Sequence, residues 1–282
     1  MSFPQPTQRS RTDTFRELHA SGCFVLPNPW DIGSAVYLQQ LGFAALATTS
    51  AGFAFTRGLP DDPRAINRDV MLAHIREIVA ATPLPVNADF QSGYADDPAA
   101  VAANVALCVA TGVAGLSIED ATGDRDAPLY ESKLAIERIR AARRAIDESG
   151  VPVVLTARCE ASLVGHSDPL REALDRLGAY AEAGADCLFA PGVDKPADIA
   201  ALLKAVAPRP VNVLMSSSSA EMSVSRLADL GVRRISVGSA LARAAWGGFI
   251  LAAQILARTG SSEAFATATS FTELDAIFRA RL

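Results

Sequence analysis

Eight short apolar runs punctuate the chain between Phe24 and about residue 258, each followed by a helix-length segment and each closing in polar or small residues. The runs are FVLPNP (24–29), FAALATTS (43–50), PVNADF (85–90), GLSIED (115–120), VPVVLTAR (151–158), ADCLFAP (185–191), PVNVLMS (210–216) and RRISVGS (233–239). Each is too short for a globular helix, is rich in Val, Ile, Leu and Phe, and tends to follow a Gly or Pro. Runs that are apolar throughout are buried on both faces, as parallel strands are, and the amphipathic segments between them supply the crossover helices that parallel pairing needs. Eight such units predict an α/β fold, a (β/α)8 TIM barrel, with its chemistry at the C-terminal ends of the strands.

Helix boundaries follow from local signals. Asp97-Pro98 and Asp168-Pro169 each place an N-cap acceptor before a first-turn proline, and Gly112 and Gly184 mark helix ends. Residues 1–12 are polar and without periodicity and predict a flexible N-terminal arm. Residues 13–282 then form one barrel domain with C-terminal helices, and a segment over about 262–281 carries enough apolar positions (Phe265, Phe271, Leu274, Ile277, Phe278) to dock on the barrel or on a neighbouring subunit.

Composition narrows the function classes. Half the residues are hydrophobic and the formal charge is -5, which argues against a nucleic-acid footprint or an anionic membrane surface. The start MSFPQPTQRS does not read as a signal peptide, and no uninterrupted apolar stretch reaches the roughly 20 residues of a membrane span, so the expected location is cytoplasmic. Cys23, Cys108, Cys159 and Cys187 form no CxxC pair and predict neither a zinc knuckle nor a disulfide framework.

The candidate chemistry lies at the strand ends. In the third run, alternation puts Asn87 and Asp89 on one face, toward the barrel mouth, and the fourth run ends in Glu119-Asp120. Carboxylates from two neighbouring strands suit a hard cation such as Mg2+, and serve equally well as loop caps or ion-pair partners. Thr49, Ser50 and Ala51 close the second run in a turn whose amides could cradle an oxyanion or form an ordinary tight loop. Arg158 closes the fifth run as a planar fork for a carboxylate or as half of a rim ion pair. Glu160 is a further rim candidate, and Asn212 in the seventh run is a candidate substrate contact. His19 and His74 fall on predicted outer helices, His74 on the helix surface; His166, in the loop after the fifth run, is placed for proton transfer.

Taken in order, PNPWDIGSA (27–35), ATTSAGFAFTRGLPD (47–61), PVNADFQSGY (85–94), GLSIED (115–120), TAR (156–158), GADCLF (184–189) and SVGSALARAA (236–245) resemble the isocitrate lyase and phosphoenolpyruvate mutase superfamily over nearly the whole barrel. The resemblance implies a small 2-oxo acid as substrate. It implies that Ser50 and its neighbours bind the carboxylate and keto oxygens through backbone amides, that Asp61 and Asp89 belong to a Mg2+ shell (Mn2+ as the alternative) with Glu119 reaching the metal through water, and that Arg158 clamps the substrate. Ser50, Glu119 and Arg158 are then the catalytic set, and Thr49, Ser50, Ala51, Asn87, Arg158 and Asn212 the substrate contacts. Tetramers built from dimers that exchange a C-terminal helix are common in this superfamily, and Gly247-Gly248 offers a break beyond which Phe249, Ile250, Ile255 and Leu256 would be costly to expose on a monomer.

Departures from the superfamily pattern sharpen the expectation. Isocitrate and 2-methylisocitrate lyases carry a Lys-Lys/Arg-Cys-Gly-His loop after the fourth strand, whereas ATGDRDAPLYESK (121–133) has neither Cys nor His. The first of the usual two strand-three aspartates is Asn87, and Ala190-Pro191-Gly192 stands where the lyases place a glutamate. A loop without a cysteine acid suits cleavage of an oxaloacetate-like 2-oxo acid through a pyruvate enolate. Phosphonopyruvate hydrolysis or mutase-type chemistry, with Asp124 and Arg125 over a phosphoryl group, is the alternative, and a keto-acid-binding barrel without turnover is a second.

Overall fold

The computed structural model describes residues 6–219 and 222–279. The eight runs are the eight strands: β1 Phe24–Leu26, β2 Leu46–Ala47, β3 Val86–Asp89, β4 Gly115–Glu119, β5 Val154–Arg158, β6 Cys187–Phe189, β7 Val211–Leu214 and β8 Arg234–Ser236. Neighbouring strands of the sheet are parallel, in the order β1-β8-β7-β6-β5-β4-β3-β2. The remaining seam is bridged where the Ala47 N–H donates to the Pro27 carbonyl at 3.0 Å. The sheet is thus a (β/α)8 barrel, and β4 and β5 pair with Glu119 opposite Arg158, which fixes two charged side chains side by side at its C-terminal end.

The helices are α1 Gln8–Ala20, α2 Ile32–Gln40, α3 Ser50–Thr56, α4 Arg68–Ala81, α5 Pro98–Val109, α6 Ser132–Glu148, α7 Pro169–Glu182, α8 Pro196–Val206, α9 Val224–Asp229, α10 Ala240–Thr259 and α11 Phe271–Arg279. Asp97 caps α5 by accepting from the Ala100 N–H at 3.0 Å, with Pro98 in the first turn, and Asp168 caps α7 in the same way. Outward strand residues such as Leu116, Leu155 and Leu188 join the main core with the inner faces of these helices. A smaller apolar cluster fills the base of the barrel, with Phe15, Phe24, Leu26, Ala45 and Val154 among its members.

Three features differ from expectation. Part of the presumed arm is ordered: α1 starts at Gln8, whose side-chain amide donates to the Val109 and Val113 carbonyls, and Phe15 plugs the base of the barrel. Gly115 leaves the room for it, since a Cβ there would lie 2.5 Å from the Phe15 ring. Residues 1–5 of that arm, and 280 and 281 at the end of the predicted tail helix, lie outside the described residues. His74 is buried and stacked on Phe53, ring centroids 3.8 Å apart, so it lies on the inner face of α4. The Gly247-Gly248 pair makes no break: α10 runs through it unbroken, and by length and composition alone this helix could cross a membrane.

The tail is a short 3-10 turn, Ser262–Phe265, followed by α11, which lies along α2: Gln40 donates to the Ile277 carbonyl and Phe278 reaches Gly33. Docking on the same barrel is therefore partial. Phe271 is 84% exposed, and only Ala242 is buried on α10, where Phe249, Ile250 and Leu251 all face outward.

Candidate functional site

Strand register and alternation bring the charged groups together. Asp89, Glu119 and Arg158 end β3, β4 and β5 with side chains directed into the mouth, and Arg158 lies between the two acids. Its Nη1 donates to Asp89 Oδ1 at 2.8 Å and approaches Glu119 Oε2 at 3.2 Å, while Nε and Nη2 reach Glu160 Oε1 at 3.0 and 2.8 Å. The guanidinium also lies over the Phe189 ring at 5.1 Å. Arg158 thus holds its fork in one plane by contact with three carboxylates.

The second strand end works differently from a free nest of amides. Thr49 caps α3 by accepting from the Gly52 N–H, and Ser50 opens the helix. The Ser50 N–H and Oγ–H both donate to Asp89 Oδ2 at 2.9 Å, so this helix N-terminus orients the strand-three carboxylate. Asp89 is in this way held on both oxygens. Gly52 is required by packing, because a Cβ there would sit 2.6 Å from Thr49 Cγ2.

Asp61 lies on the rim after α3, and with Ser50, Glu119, Glu160 and Arg158 it lines an outer cavity of 610 Å3 beneath the 121–130 loop. Asp124 and Arg125 line the same cavity. An inner cavity of 150 Å3, lined by Thr49, Ser50, Ala51, Asn87 and Arg158 among others, continues down into the barrel. The structure therefore gathers Thr49, Ser50, Ala51, Asp61, Asp89, Glu119 and Arg158 at one mouth. Asn87 faces the inner cavity below the acids, with its Oδ1 unpartnered. Asn212 is buried below the mouth and donates to Ser236 Oγ, so it does not line either cavity.

The electrostatics are those of an acid-rich, largely buried mouth. Burial raises the Glu119 carboxyl well above its ordinary value; Arg158 pulls it down, and Glu160, Asp89 and Asp61 add to the rise. Burial likewise raises Asp61, with the Asp89 charge adding to it. For Arg158, burial opposes the charge, but Glu160, Glu119 and Asp89 outweigh it and push its pKa up. Three carboxylates share one guanidinium and Asp61 lines the same cavity, an excess of hard oxygen donors whose chemistry fits a divalent cation. Among the described residues, no three acidic, histidine or cysteine side chains converge as a ready metal cluster; Asp89 and Glu119 converge on Arg158 instead.

Other candidates have structural employment. Asp120 is buried, accepts from Tyr180 Oη at 2.7 Å and from Arg176, and receives the Glu160 N–H at 2.8 Å, thereby anchoring the residue that steadies Arg158. His19 is held in the base against Phe15 and Phe24, and burial lowers its pKa to about 3. His166 lies in an exposed loop, where its Nδ1 accepts from the Asp168 N–H. Two residues were not found from sequence. Asn28 donates to the Thr48 carbonyl and accepts from the Val237 and Gly238 N–H groups, tying three strand ends together. Arg234 sits inside the barrel; its place beside Arg233 at the start of the RRISVGS run hid it, although an arginine in a strand buried on both faces is itself a signal.

Comparison with known proteins agrees with this geometry. The family model described as phosphoenolpyruvate phosphomutase matches residues 15–257. An uncharacterised protein of Mycobacterium tuberculosis is 34% identical over 229 residues, covering 80% of this chain and 82% of that one. A crystal structure from Burkholderia cenocepacia, provisionally assigned as a lyase or mutase, is 46% identical with a TM-score of 0.92, covering 96% of this chain and 97% of that one. The structure of an oxaloacetate acetylhydrolase in complex with its product oxalate is 26% identical with a TM-score of 0.84, covering 96% of this chain and 95% of that one. The chain belongs to the phosphoenolpyruvate phosphomutase family, within the superfamily that also contains isocitrate lyase.

Proposed function

We infer that this family member cleaves a carbon-carbon bond beside the keto group of a small 2-oxo acid, with an oxaloacetate-like substrate and a divalent cation, Mg2+ or Mn2+. The observation that carries the reading is the set of Asp61, Asp89, Glu119 and Glu160 gathered around Arg158 at the C-terminal end of the barrel. So much acid around a single arginine in a half-closed mouth costs stability unless a ligand organises it. Asp89 and Asp61 would hold the cation, with Glu119 beside them. Bound there, it would withdraw electron density from the keto oxygen and stabilise the enolate that bond cleavage leaves.

The chain's own residues do the rest. Ser50 fixes Asp89 through two hydrogen bonds, so the carboxylate is oriented before any ligand arrives. Arg158, steadied by Glu160, presents a planar fork at the mouth that would hold the substrate carboxylate. The 121–130 loop, which lines the mouth and contains neither Cys nor His, offers no thiol acid for a leaving group, in keeping with a reaction whose leaving group needs none. Arg125 on that loop favours a second reading, in which it covers the phosphoryl group of a phosphonopyruvate-type substrate.

Incubation with oxaloacetate and with phosphonopyruvate, each with Mg2+, separates these readings. Loss of the oxaloacetate keto-enol absorbance above a heat-killed control supports the first, and phosphate release supports the second. Absence of both, with oxalate still bound, would leave a keto-acid-binding barrel.

A further inference from the structure

Below the acids, the barrel lumen carries a layer of polar side chains that the reaction above does not use. Inward-facing residues two positions before Asp89, Glu119 and Arg158 are Asn87, Ser117 and Thr156, and β8 adds Arg234 at the same depth. Arg234 is 3% exposed. Its Nη1 donates to Thr156 Oγ1 at 2.9 Å and lies 3.5 Å from His19 Nε2, and its Nε has no partner. Among the described residues no carboxylate lies within ion-pair distance of it. The inner cavity runs without interruption from Asp61 at the rim to this side chain, past Asn87, Ser117 and Ser236.

The two arginines that line this cavity are in opposite electrostatic situations. Arg158 is shared among three carboxylates, while Arg234 is a buried cation with only neutral partners. A buried charge without a counter-charge is costly, and a structural strut between β8 and β5 could be made by a neutral side chain at less cost. A planar guanidinium fork lining a cavity of 150 Å3 is instead suited to a carboxylate brought in by a small ligand.

We propose that Arg234 is a carboxylate subsite at the floor of the active-site cavity, so that a dicarboxylic 2-oxo acid enters end-on, one carboxylate on Arg234 and its reacting end toward Asp89, Glu119 and Arg158. The subsite rests on the 2-oxo acid reading given above and narrows it to substrates with two acidic groups. It also places the anion below the strand ends, on a side chain of β8.

The test combines kinetics with ligand-free stability, which a strut and a subsite move in opposite directions. In Arg234→Met, the KM for oxaloacetate rises at least tenfold, the upward shift of Tm that oxalate gives the wild type disappears, and the ligand-free Tm equals or exceeds that of the wild type. Arg234→Lys, a point charge without the fork, raises KM less than the Met variant does. A Met variant with lowered ligand-free Tm and unchanged KM and oxalate response makes Arg234 a strut and overturns the subsite. If the Met variant does not fold, the Lys variant decides, and an unchanged KM there overturns it. A wild type that neither turns over oxaloacetate nor responds to oxalate overturns the 2-oxo acid reading and the subsite with it, whereas wild-type turnover retained by the variants overturns the subsite alone.

Discussion

Asp89 has both oxygens engaged, by Ser50 on one side and Arg158 on the other, and it is the one carboxylate on β3. Asp89→Ala should abolish Mg2+ binding and turnover while the fold survives, because loss of a few partly buried hydrogen bonds costs about 1–3 kcal/mol against a typical stability of about 5–15 kcal/mol. Calorimetric titration with Mg2+ and a circular dichroism melt check the two halves. Arg158→Lys should lower kcat/KM for oxaloacetate ten-fold or more, about 1.4 kcal/mol or above, because an ammonium cannot reproduce the fork that Glu160 holds in plane. An unchanged kcat/KM would confine Arg158 to the rim ion pairs. At this scale the sequence showed Asp89, Glu119 and Arg158, because a charge that ends an apolar strand has one place to go. It did not show that the Ser50 amide is spent on Asp89, since that depends on the approach of α3 to β3, nor that Asn212 is held below the cavity by Ser236.

Among the elements, α4 meets α3 through the stacked pair His74 and Phe53, and burial followed by the Arg57 charge lowers the His74 pKa to about 4. The folded state therefore binds the proton less readily than the unfolded chain, whose histidine titrates near 6.5. Stability is lost as pH falls from about 6.5 toward 4, by up to roughly 3 kcal/mol for this one group. His74→Phe, which keeps the stack without the titration, should flatten that acid limb; urea midpoints of both proteins between pH 7 and 4.5 report the difference. The plug is a second element with a measurable role, since Phe15 is fully buried against Gly115. Phe15→Ala should cost about 3–5 kcal/mol in the same urea measurement at pH 7. The strands and capped helices were legible because apolar runs, Asp-Pro starts and helix-ending glycines are local signals. The first turns of α1, read as part of the arm, were not, since the helix's few inward residues (Thr12 and Phe15) leave little periodicity, and α10 was misread at Gly247-Gly248, where a penalty of about 1 kcal/mol per glycine is tolerated between good helix formers.

For the whole molecule, the main feature is the exposed apolar surface of α10 and α11. Phe249, Leu251 and Phe271 are 62%, 57% and 84% exposed, on elements that touch the barrel at few points. We propose that a second copy presenting the same helices covers these exposed apolar residues reciprocally. Light scattering at micromolar concentration should give two or four times the 29.6 kDa chain, and deletion of residues 249–282 should give aggregate; a monodisperse full-length monomer would contradict this. The barrel itself was readable from sequence because eight repeats of one pattern admit few closures, whereas the exposure of its last helices depends on where the chain turns after β8.

The central claim, cation-assisted cleavage of a 2-oxo acid at the acid-rich mouth, is tested most directly by following oxaloacetate loss with the wild type in Mg2+, the wild type in excess chelator, and Asp89→Ala in Mg2+, each corrected for the uncatalysed reaction. Turnover in the first and background rates in the other two are the predicted result. Wild-type turnover that persists in chelator, or that Asp89→Ala retains, would contradict the account.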